Sequence, residues 1–437
     1  MRRHKVGIMP TLSGALSKLR CATLALLLLA VTFAGCSGRN EFDRRLGTAV
    51  EPYRFDVLRW ELKHAFERSF APAADGRPLG VEEERLVVER FFELGGQLRW
   101  LGWERQVGSE MGQGASQQTL EEGRESLLLE RERLRPAVQW ILGRQVREVY
   151  NDQGIFNPLD RFFGFSVAFP PMNFRLARPP LILVVSPRER IESIREVMLV
   201  ENMTTDSMEQ LEAQVDALGV SSLIVEIGGL GATYPTFVAD DSTLSWTVQT
   251  VAEEWLHQYL FFTPLGFRYA LDGLGIRRDY DIATMNETVA GIVSSEIADQ
   301  VLSTYYGVEG GVPEPAAPAE MQAPPEPERF DYYREMREIR LKVDSLLAEG
   351  LVGEAERFME ERRLYLASEG YFIRKLNQAY FAFHGTYGDA PTSVSPIGVD
   401  MRVLRERIVR DKAPSLRDFL NQVASMRSVQ DLEEAAR

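Results

Sequence analysis

Cysteine is almost absent from this chain of 437 residues: it has two, Cys21 and Cys36, both near the N-terminus. A disulfide framework is therefore excluded for the rest of the chain. The stretch ATLALLLLAVTFAG before Cys36 falls short of a membrane span, because it holds about fourteen residues where a spanning helix needs about twenty. Histidine is rare as well, with four residues in all, so each one can be weighed individually.

Positive charge is in deficit: 50 Lys and Arg face 64 Asp and Glu, for a net charge of −14. This balance argues against a nucleic-acid partner, which needs clustered Lys and Arg to meet phosphates. An apolar fraction of 45% and a charged fraction of 26% are typical of a globular protein. Disorder and full membrane embedding are therefore not expected.

The N-terminus has the composition of a secretory signal. Residues 1–20 carry five basic residues and no acid, and the short apolar run follows them. The last letters of the run, FAGC, resemble the lipobox of bacterial lipoproteins, which implies lipidation at Cys36. The alternative is an uncleaved anchor in which Cys36 has no role. Either case predicts a membrane-anchored protein of the bacterial cell envelope, with its main body outside the cytoplasm.

The spacing of apolar residues divides the chain into regions. Periods of three and four residues predict amphipathic helices first, short runs such as LILVVS then predict strands, and two apolar helices follow. A Pro-, Ala- and Glu-rich segment cannot pack a core. We therefore predict a leader (1–36), a tether (37–52), a helical N-terminal region (53–175), a core of short strands and apolar helices (176–310), a linker (311–328) and a helical C-terminal region (329–437).

Two predicted helices lack basic residues altogether. No Lys or Arg occurs in Leu244–Gly266 or in Ala283–Tyr306, yet the first segment carries Glu253 and Glu254 and the second carries Glu287. Both helices are apolar on most sides, which indicates burial. Because an unpaired buried carboxylate is costly, something must compensate: a metal ion, raised pKa values or a distant arginine. Two such helices favour a shared cation.

The stretch VAEEWLHQYL differs by one letter from the zinc-protease signature H-E-x-x-H. Glu253 and His257 are four residues apart and share one helix face, with Glu254 one step round. A catalytic zinc site takes three protein ligands, and Glu287 near the start of the second helix supplies the third. Glu296 lies nine residues further on and is too distant to share the ion, although it could orient a ligand.

A family resemblance agrees with this pattern. EEWLHQYLFFTPLG followed by MNETVAGIVSSEIADQ resembles the gluzincin metallopeptidases, whose signature is H-E-x-x-H with a downstream glutamate ligand. Closer still is a group of bacterial membrane-associated or lipoprotein peptidase-like proteins, near the aminopeptidase families, that read H-E-W-x-H-x-Y-L and then N-E-T-x-A. The likeness covers roughly residues 180–400. It implies that Glu254 is the general base and that His257 and Glu287 are metal ligands.

The resemblance also extends to residues outside the motif. It implies that LIVEIGGLGATYPT is the edge strand that pairs with an extended peptide, with Gly228 and Gly229 at the substrate. His384 and Tyr387, in AYFAFHGTYG, are candidates for stabilising the developing oxyanion. His384 has the alternative of a core residue that caps its helix. We expect His64 to lie on the surface of an N-terminal helix.

This sequence departs from the family at Glu253, where the signature has histidine. A carboxylate binds zinc at a distance similar to an imidazole nitrogen, but two Glu and one His make a more anionic site. We expect a divalent metal, zinc first, with Mn²⁺ or Fe²⁺ as alternatives. A different interpretation makes His257 a core histidine that is hydrogen-bonded to Glu287.

These patterns together predict a predominantly helical α+β fold, in which a zincin-like core with a small sheet and an active-site helix is flanked by helical regions. The predicted function is an exported, envelope-anchored peptidase that hydrolyses peptide bonds through a metal-activated water, with Glu254 taking its proton. One alternative is an inactive pseudo-protease that acts as a cell-envelope binding or scaffolding lipoprotein. Another is a helical structural lipoprotein without an ordered site at Glu254.

Overall fold

The structure is a computed structural model, and it describes residues 41–64, 73–74, 77–111, 117–158, 168–231, 233–273, 279–308, 330–384 and 401–437. The helices of these residues are α1 (Glu41–Val50), α2 (Val57–His64), α3 (Val81–Met111), α4 (Gln117–Asp152), α5 (Thr205–Asp216), α6 (Leu244–Leu260), α7 (Pro264–Gly273), α8 (Tyr280–Tyr306), α9 (Tyr332–Ala348), α10 (Val352–Ser368), α11 (Gln378–His384), α12 (Met401–Lys412), α13 (Leu416–Ala424) and α14 (Val429–Ala436), with a 3₁₀ turn at Glu51–Tyr53. The strands are β1 (Ala73–Ala74), β2 (Arg77–Pro78), β3 (Phe174–Leu176), β4 (Leu181–Pro187), β5 (Arg195–Leu199), β6 (Val220–Val225), β7 (Gly229–Leu230) and β8 (Thr236–Val238).

The strands form three small sheets within this helical framework. One has the order β5-β4-β6 and is antiparallel throughout, a second has the order β3-β8-β7, and β1 pairs with β2. The prediction of a predominantly helical α+β protein is therefore confirmed. Within the described ranges, none of the helices combines the length and the apolar character needed to span a membrane.

The largest core surrounds helices α6 and α8. Val251 and Leu256 of α6 and Met285 and Val293 of α8 are buried in one cluster with side chains from α3, α4, α12, α13 and α14. The predicted burial of both helices is therefore confirmed. Their carboxylates lie in low-dielectric surroundings, where a charge is expensive to keep without a partner.

A second core lies on the two faces of the β5-β4-β6 sheet. Successive residues of β4 alternate between faces, so Val184 packs with α9, α10 and α11, whereas Leu183 and Val185 pack with α1 and α5. Helix α1 changes the expectation of a tether over residues 37–52. Its residues Leu46 and Val50 are buried on this sheet, because the polar sequence hides an apolar stripe at helical spacing.

Capping residues and arginines fix where helix α6 begins. The hydroxyl of Thr243 accepts a hydrogen bond from the backbone N–H of Trp246, which satisfies one of the unpaired donors of the first turn. Just before it, Asp240 forms ion pairs with Arg131 and Arg135 of α4. The long helix α4 therefore anchors the loop from which α6 starts.

Helix α8 has equally definite ends. The side chain of Asp279 accepts from the N–H of Ile282, and Gly307 ends the helix in the left-handed region with φ of 67°. Residues 1–36 and 311–328, predicted as the leader and the linker, lie outside the described residues.

Candidate metal centre

Helices α6 and α8 bring together the three residues that the sequence predicts as metal ligands. Glu253, His257 and Glu287 each offer one ligand atom, and these atoms all lie within 4.8 Å of one another. The His257 Nε2 atom is 3.6 Å from Glu287 Oε2, and both side chains are largely buried, with 16% and 13% exposed. The three residues can therefore hold a metal ion.

The carboxyls of this cluster are destabilised as anions. Burial raises the pKa of Glu253 to about 6, and the nearby Glu287 adds to the shift while His257 opposes it. Burial raises the pKa of Glu254 to about 8, again against the influence of His257. Burial alone would lower the pKa of His257, but the carboxylates of Glu287, Glu254 and Glu253 outweigh it and raise the pKa. A bound cation would favour the ionised form of these carboxyl groups and the neutral form of His257.

Glu254 lies beside the cluster, against the backbone of the glycine-rich segment. A Cβ atom at Gly229 would have three Glu254 atoms within 3.0 Å, and one at Gly231 would have Glu254 Oε2 at 2.6 Å. Gly228 is covered by the ring of Trp246 in the same way. The glycines, predicted to contact substrate, therefore also allow α6 to approach this segment closely.

Asn286 determines how His257 presents its nitrogen atoms. Asn286 Nδ2 lies 3.0 Å from His257 Nδ1, so the imidazole has a hydrogen-bond partner on the side away from Glu287. Asn286 Oδ1 is buried and has no partner among the described residues. A half-turn of the Asn286 amide would place this oxygen at His257 Nδ1. The Nδ1 atom would then carry the imidazole proton and donate it to the oxygen, and the Nε2 lone pair would be free for a metal.

This geometry bears on the interpretation of His257 as an ordinary core histidine. The 3.6 Å separation from Glu287 is longer than a hydrogen bond, whereas the contact with Asn286 has hydrogen-bond length. The donor set of two carboxylates and one imidazole fits a divalent cation. Asn286 stands next to the predicted ligand in NETVA, yet its letter alone gives no indication of this contact.

Tyr269 of α7 is a site residue that the sequence did not predict. Its hydroxyl donates to Glu287 Oε1 at 2.5 Å, and its ring lies over that of His257 with a centroid distance of 5.9 Å and an interplanar angle of 25°. The contact exists because α7 folds back beside α6 and α8 after the turn at Pro264. No spacing in the sequence signals it.

Other predicted residues lie elsewhere or outside the described chain. His384 packs on Tyr380 and Phe383, with ring centroids 4.2 and 5.1 Å away, and burial lowers its pKa to about 4. Tyr387 and the predicted lipidation site Cys36 fall outside the described residues.

Glu296 and His64 both have arginine partners away from the ligand group. Glu296 forms a bidentate ion pair with Arg410 at 2.6 and 2.8 Å and is not part of the ligand group. His64, expected on the surface, is only 5% exposed: its ring lies on Trp60 and its Nδ1 is 3.1 Å from Arg175 Nη1. The expectation for His64 was wrong, because Trp60 on its own helix and the distant Arg175 cover the side chain.

Comparison with protein-family models, with curated proteins and with solved structures returns no match to this chain. The resemblance to gluzincins therefore rests on the sequence motifs alone.

Proposed function

We propose that this protein is a metal-dependent peptidase of gluzincin type, with Glu253 in place of the usual first histidine. The single observation that carries the proposal is the convergence of Glu253, His257 and Glu287, from two helices, on one point beside Glu254. Three protein ligands with an adjacent carboxyl are what metal-assisted hydrolysis of an amide requires.

The chemistry divides between the ion and the chain. A divalent cation at such a site supplies Lewis acidity, which polarises a substrate carbonyl and makes water easier to ionise. Glu254 is the group placed to accept a proton, and the same burial that raises its pKa makes it a stronger base once it is ionised. Gly229 and Gly231 lie against its carboxyl group, where a Cβ atom at either position would collide with it.

The β7 segment is the proposed binding place for peptide. Among the described strands, β7 has a pairing partner on one side only, namely β8. An extended peptide that adds to its other edge would pass next to Glu254, since Gly229 contacts that side chain. We assign Gly228 and Gly229 to substrate binding on this basis, through their backbone groups.

The ion and the location complete the proposal. Zinc is the first candidate because tetrahedral sites with imidazole and carboxylate ligands suit it, and Mn²⁺ or Fe²⁺ are alternatives because the donor set is rich in oxygen. We further propose that the core is zincin-like and that the leader holds it at the bacterial envelope, through Cys36 or as an uncleaved anchor. The partners are then a peptide or protein substrate and the membrane.

The test is peptide cleavage by the metal-loaded full-length chain against a peptide library. Glu254→Gln is expected to lower the rate at least about a hundredfold while metal content stays the same, because the loss of a general base costs that much. Glu296→Gln, a change of the same kind on α8 at a carboxylate that pairs with Arg410, is the matched control and should keep the activity. Equal rates in the wild type and Glu254→Gln would contradict the assignment.

One observation favours an inactive envelope-binding protein as the second candidate. Burial raises the pKa of Glu254 to about 8, so its carboxyl group carries no charge below that pH, and His257 has Asn286 as a hydrogen-bond partner. These two features stabilise the cluster without help from an ion. A wild-type chain that binds a peptide at β7 but neither takes up metal nor cleaves would establish this alternative.

A further inference from the structure

The structure assigns to Tyr269 a positioning role: its hydroxyl holds one oxygen of Glu287 and leaves the other as a single ligand atom toward the metal. This inference rests on the proposed function, because it deepens the same site. Its basis is a contact between residues that the sequence pattern does not connect.

Helix α7 is held in a fixed place relative to the two ligand helices. The Thr263 hydroxyl donates to the carbonyl of Leu260 at 2.6 Å, which closes the turn between α6 and α7. Gly266 sits directly on the Leu260 carbonyl, so that no side chain would fit there. Tyr269 is therefore carried by a short, tightly closed connection.

The two oxygens of Glu287 have different surroundings. Oε1 accepts the phenol hydrogen of Tyr269 at 2.5 Å, while Oε2 faces His257 Nε2 at 3.6 Å. Oε2 is therefore the atom turned toward the other ligands. A carboxylate held in this way would offer an ion one oxygen, since rotation to offer both would break a short, charge-assisted hydrogen bond.

The charge of the ligand set gives this hydrogen bond a second consequence. Glu253 adds an anionic ligand where the family signature has a neutral imidazole, so the three ligands carry two negative charges. The Tyr269 hydroxyl withdraws electron density from Glu287 and reduces the charge that Glu287 donates. Within the described chain, Glu253 accepts no hydrogen bond. Tyr269 therefore reduces the donated charge of only one of the two carboxylate ligands, namely Glu287.

The ring of Tyr269 also restrains His257. The two rings lie nearly parallel at an angle of 25°. One side chain therefore interacts with two of the three predicted ligands. Tyr269→Phe keeps the ring and removes the hydroxyl only, which separates the hydrogen bond from the packing.

The experiment compares zinc affinity of the full-length wild type and Tyr269→Phe by competition with a chelator. Loss of an outer hydrogen bond to a ligand is expected to weaken zinc binding about tenfold or more. Tyr305→Phe is the matched control, because that phenol also donates to a glutamate, Glu148 at 2.6 Å, but away from the ligands. It should bind zinc like the wild type.

A spectroscopic readout separates positioning from general weakening. Zinc X-ray absorption is expected to show a one-oxygen carboxylate in the wild type and a changed carboxylate shell in Tyr269→Phe. Identical affinity and spectra in both proteins would overturn the inference while leaving the metal site established. A wild type that takes up none of Zn²⁺, Mn²⁺ and Fe²⁺ would overturn the proposed function, and this inference with it.

A further pair of measurements guards against a variant that does not fold. Crystals of metal-free wild type should show the phenol on Glu287 Oε1, and its absence there would overturn the inference without reference to metal. Difluorotyrosine at position 269 keeps the shape of the side chain and strengthens the donor, so zinc affinity should change. An unchanged affinity, measured below the pKa of that phenol, would contradict the role.

Discussion

Two regions of this molecule bury glutamates, and they do so in opposite ways. Glu212 of α5, only 2% exposed, accepts hydrogen bonds from Arg374 at 2.5 and 2.9 Å and from the N–H of Ile224. Lys375 stands 3.6 Å away as a second cation. At the meeting of α6 and α8, by contrast, three glutamates and a histidine face one another, and neither helix segment carries an arginine or lysine.

The difference distinguishes a structural ion pair from a site that needs something else. The chain supplies every cation that Glu212 requires, so this cluster joins the sheet to the C-terminal helices without any further component. At the α6–α8 site the two helices supply one basic side chain, His257, against three glutamates, so the counter-charge is incomplete. A divalent cation is the simplest group that supplies it.

The largest expected effect comes from removing the main partner of Glu212. Arg374→Ala would leave Glu212 buried without its main partner, and the free energy of unfolding should fall by about 3–5 kcal/mol. Chemical denaturation of the full-length chain would measure this. Arg44→Ala is the control, because its pair with Glu41 is exposed on both sides, at 65% and 68%, and should contribute less than about 1 kcal/mol. Similar losses in both variants would mean that burial does not govern these pairs.

Removing an acid from the α6–α8 cluster should make the folded chain more stable at high pH, whereas removing Arg374 from the Glu212 cluster makes it less stable. The pKa of Glu254 is about 8 in the folded metal-free chain against an ordinary 4.5, so the folded state holds a proton that the unfolded state releases between these values. The free energy of unfolding should therefore fall as the pH rises from 4.5 to 8. Glu254→Gln should reduce this decrease in the free energy of unfolding by about 3 kcal/mol.

The measurement is the denaturation midpoint at the two ends of that window, in the presence of a chelator. Glu296→Gln, which changes a carboxylate that Arg410 already neutralises, should keep the wild-type pH profile. A Glu254→Gln profile as steep as that of the wild type would show that the buried acid is not the source.

The close approach of α6 to the glycine segment can be tested separately. Gly229→Ala would place a methyl group onto the Glu254 carboxyl, at an expected cost of about 1–3 kcal/mol. Gly353→Ala in α10 has open space around it and should stabilise the chain by about 0.5–1 kcal/mol. Thermal unfolding of the two variants would show shifts of opposite sign, and shifts of the same sign would contradict the packing.

The smallest effect concerns His384, which lies away from both clusters. Burial lowers its pKa to about 4 from the ordinary 6.5, so the unfolded chain binds a proton that the folded chain does not. Stability should be lost as the pH falls from 6.5 toward 4. After allowance for partial exposure, His384→Gln should reduce this loss by about 1 kcal/mol. A proton titration of His384 near 6.5 by NMR would contradict the burial.

The sequence predicted the ligand helices well for a physical reason. Glu253 and His257 share a face because a helix repeats every 3.6 residues. The absence of Lys and Arg from an apolar helix can also be read directly from the sequence, and it shows that the buried glutamates lack a local cation. Three predicted ligands therefore meet as expected.

The remainder depended on contacts that no local pattern encodes. Tyr269 reaches Glu287 only because α7 turns back, and His64 is covered by Arg175, which is 111 residues away along the chain. Helix α1 likewise has the polar composition of a tether, and only the sheet beneath it shows that Leu46 and Val50 form a buried stripe. Tertiary packing decides such positions.

The most direct test of the central claim is metal content, measured by mass spectrometry on the full-length chain after incubation with Zn²⁺, Mn²⁺ or Fe²⁺. We predict about one ion per chain in the wild type and in Glu296→Gln, and loss of that ion in His257→Ala and Glu287→Ala. A wild type without metal, or a His257→Ala variant that retains as much as the wild type, would contradict the account.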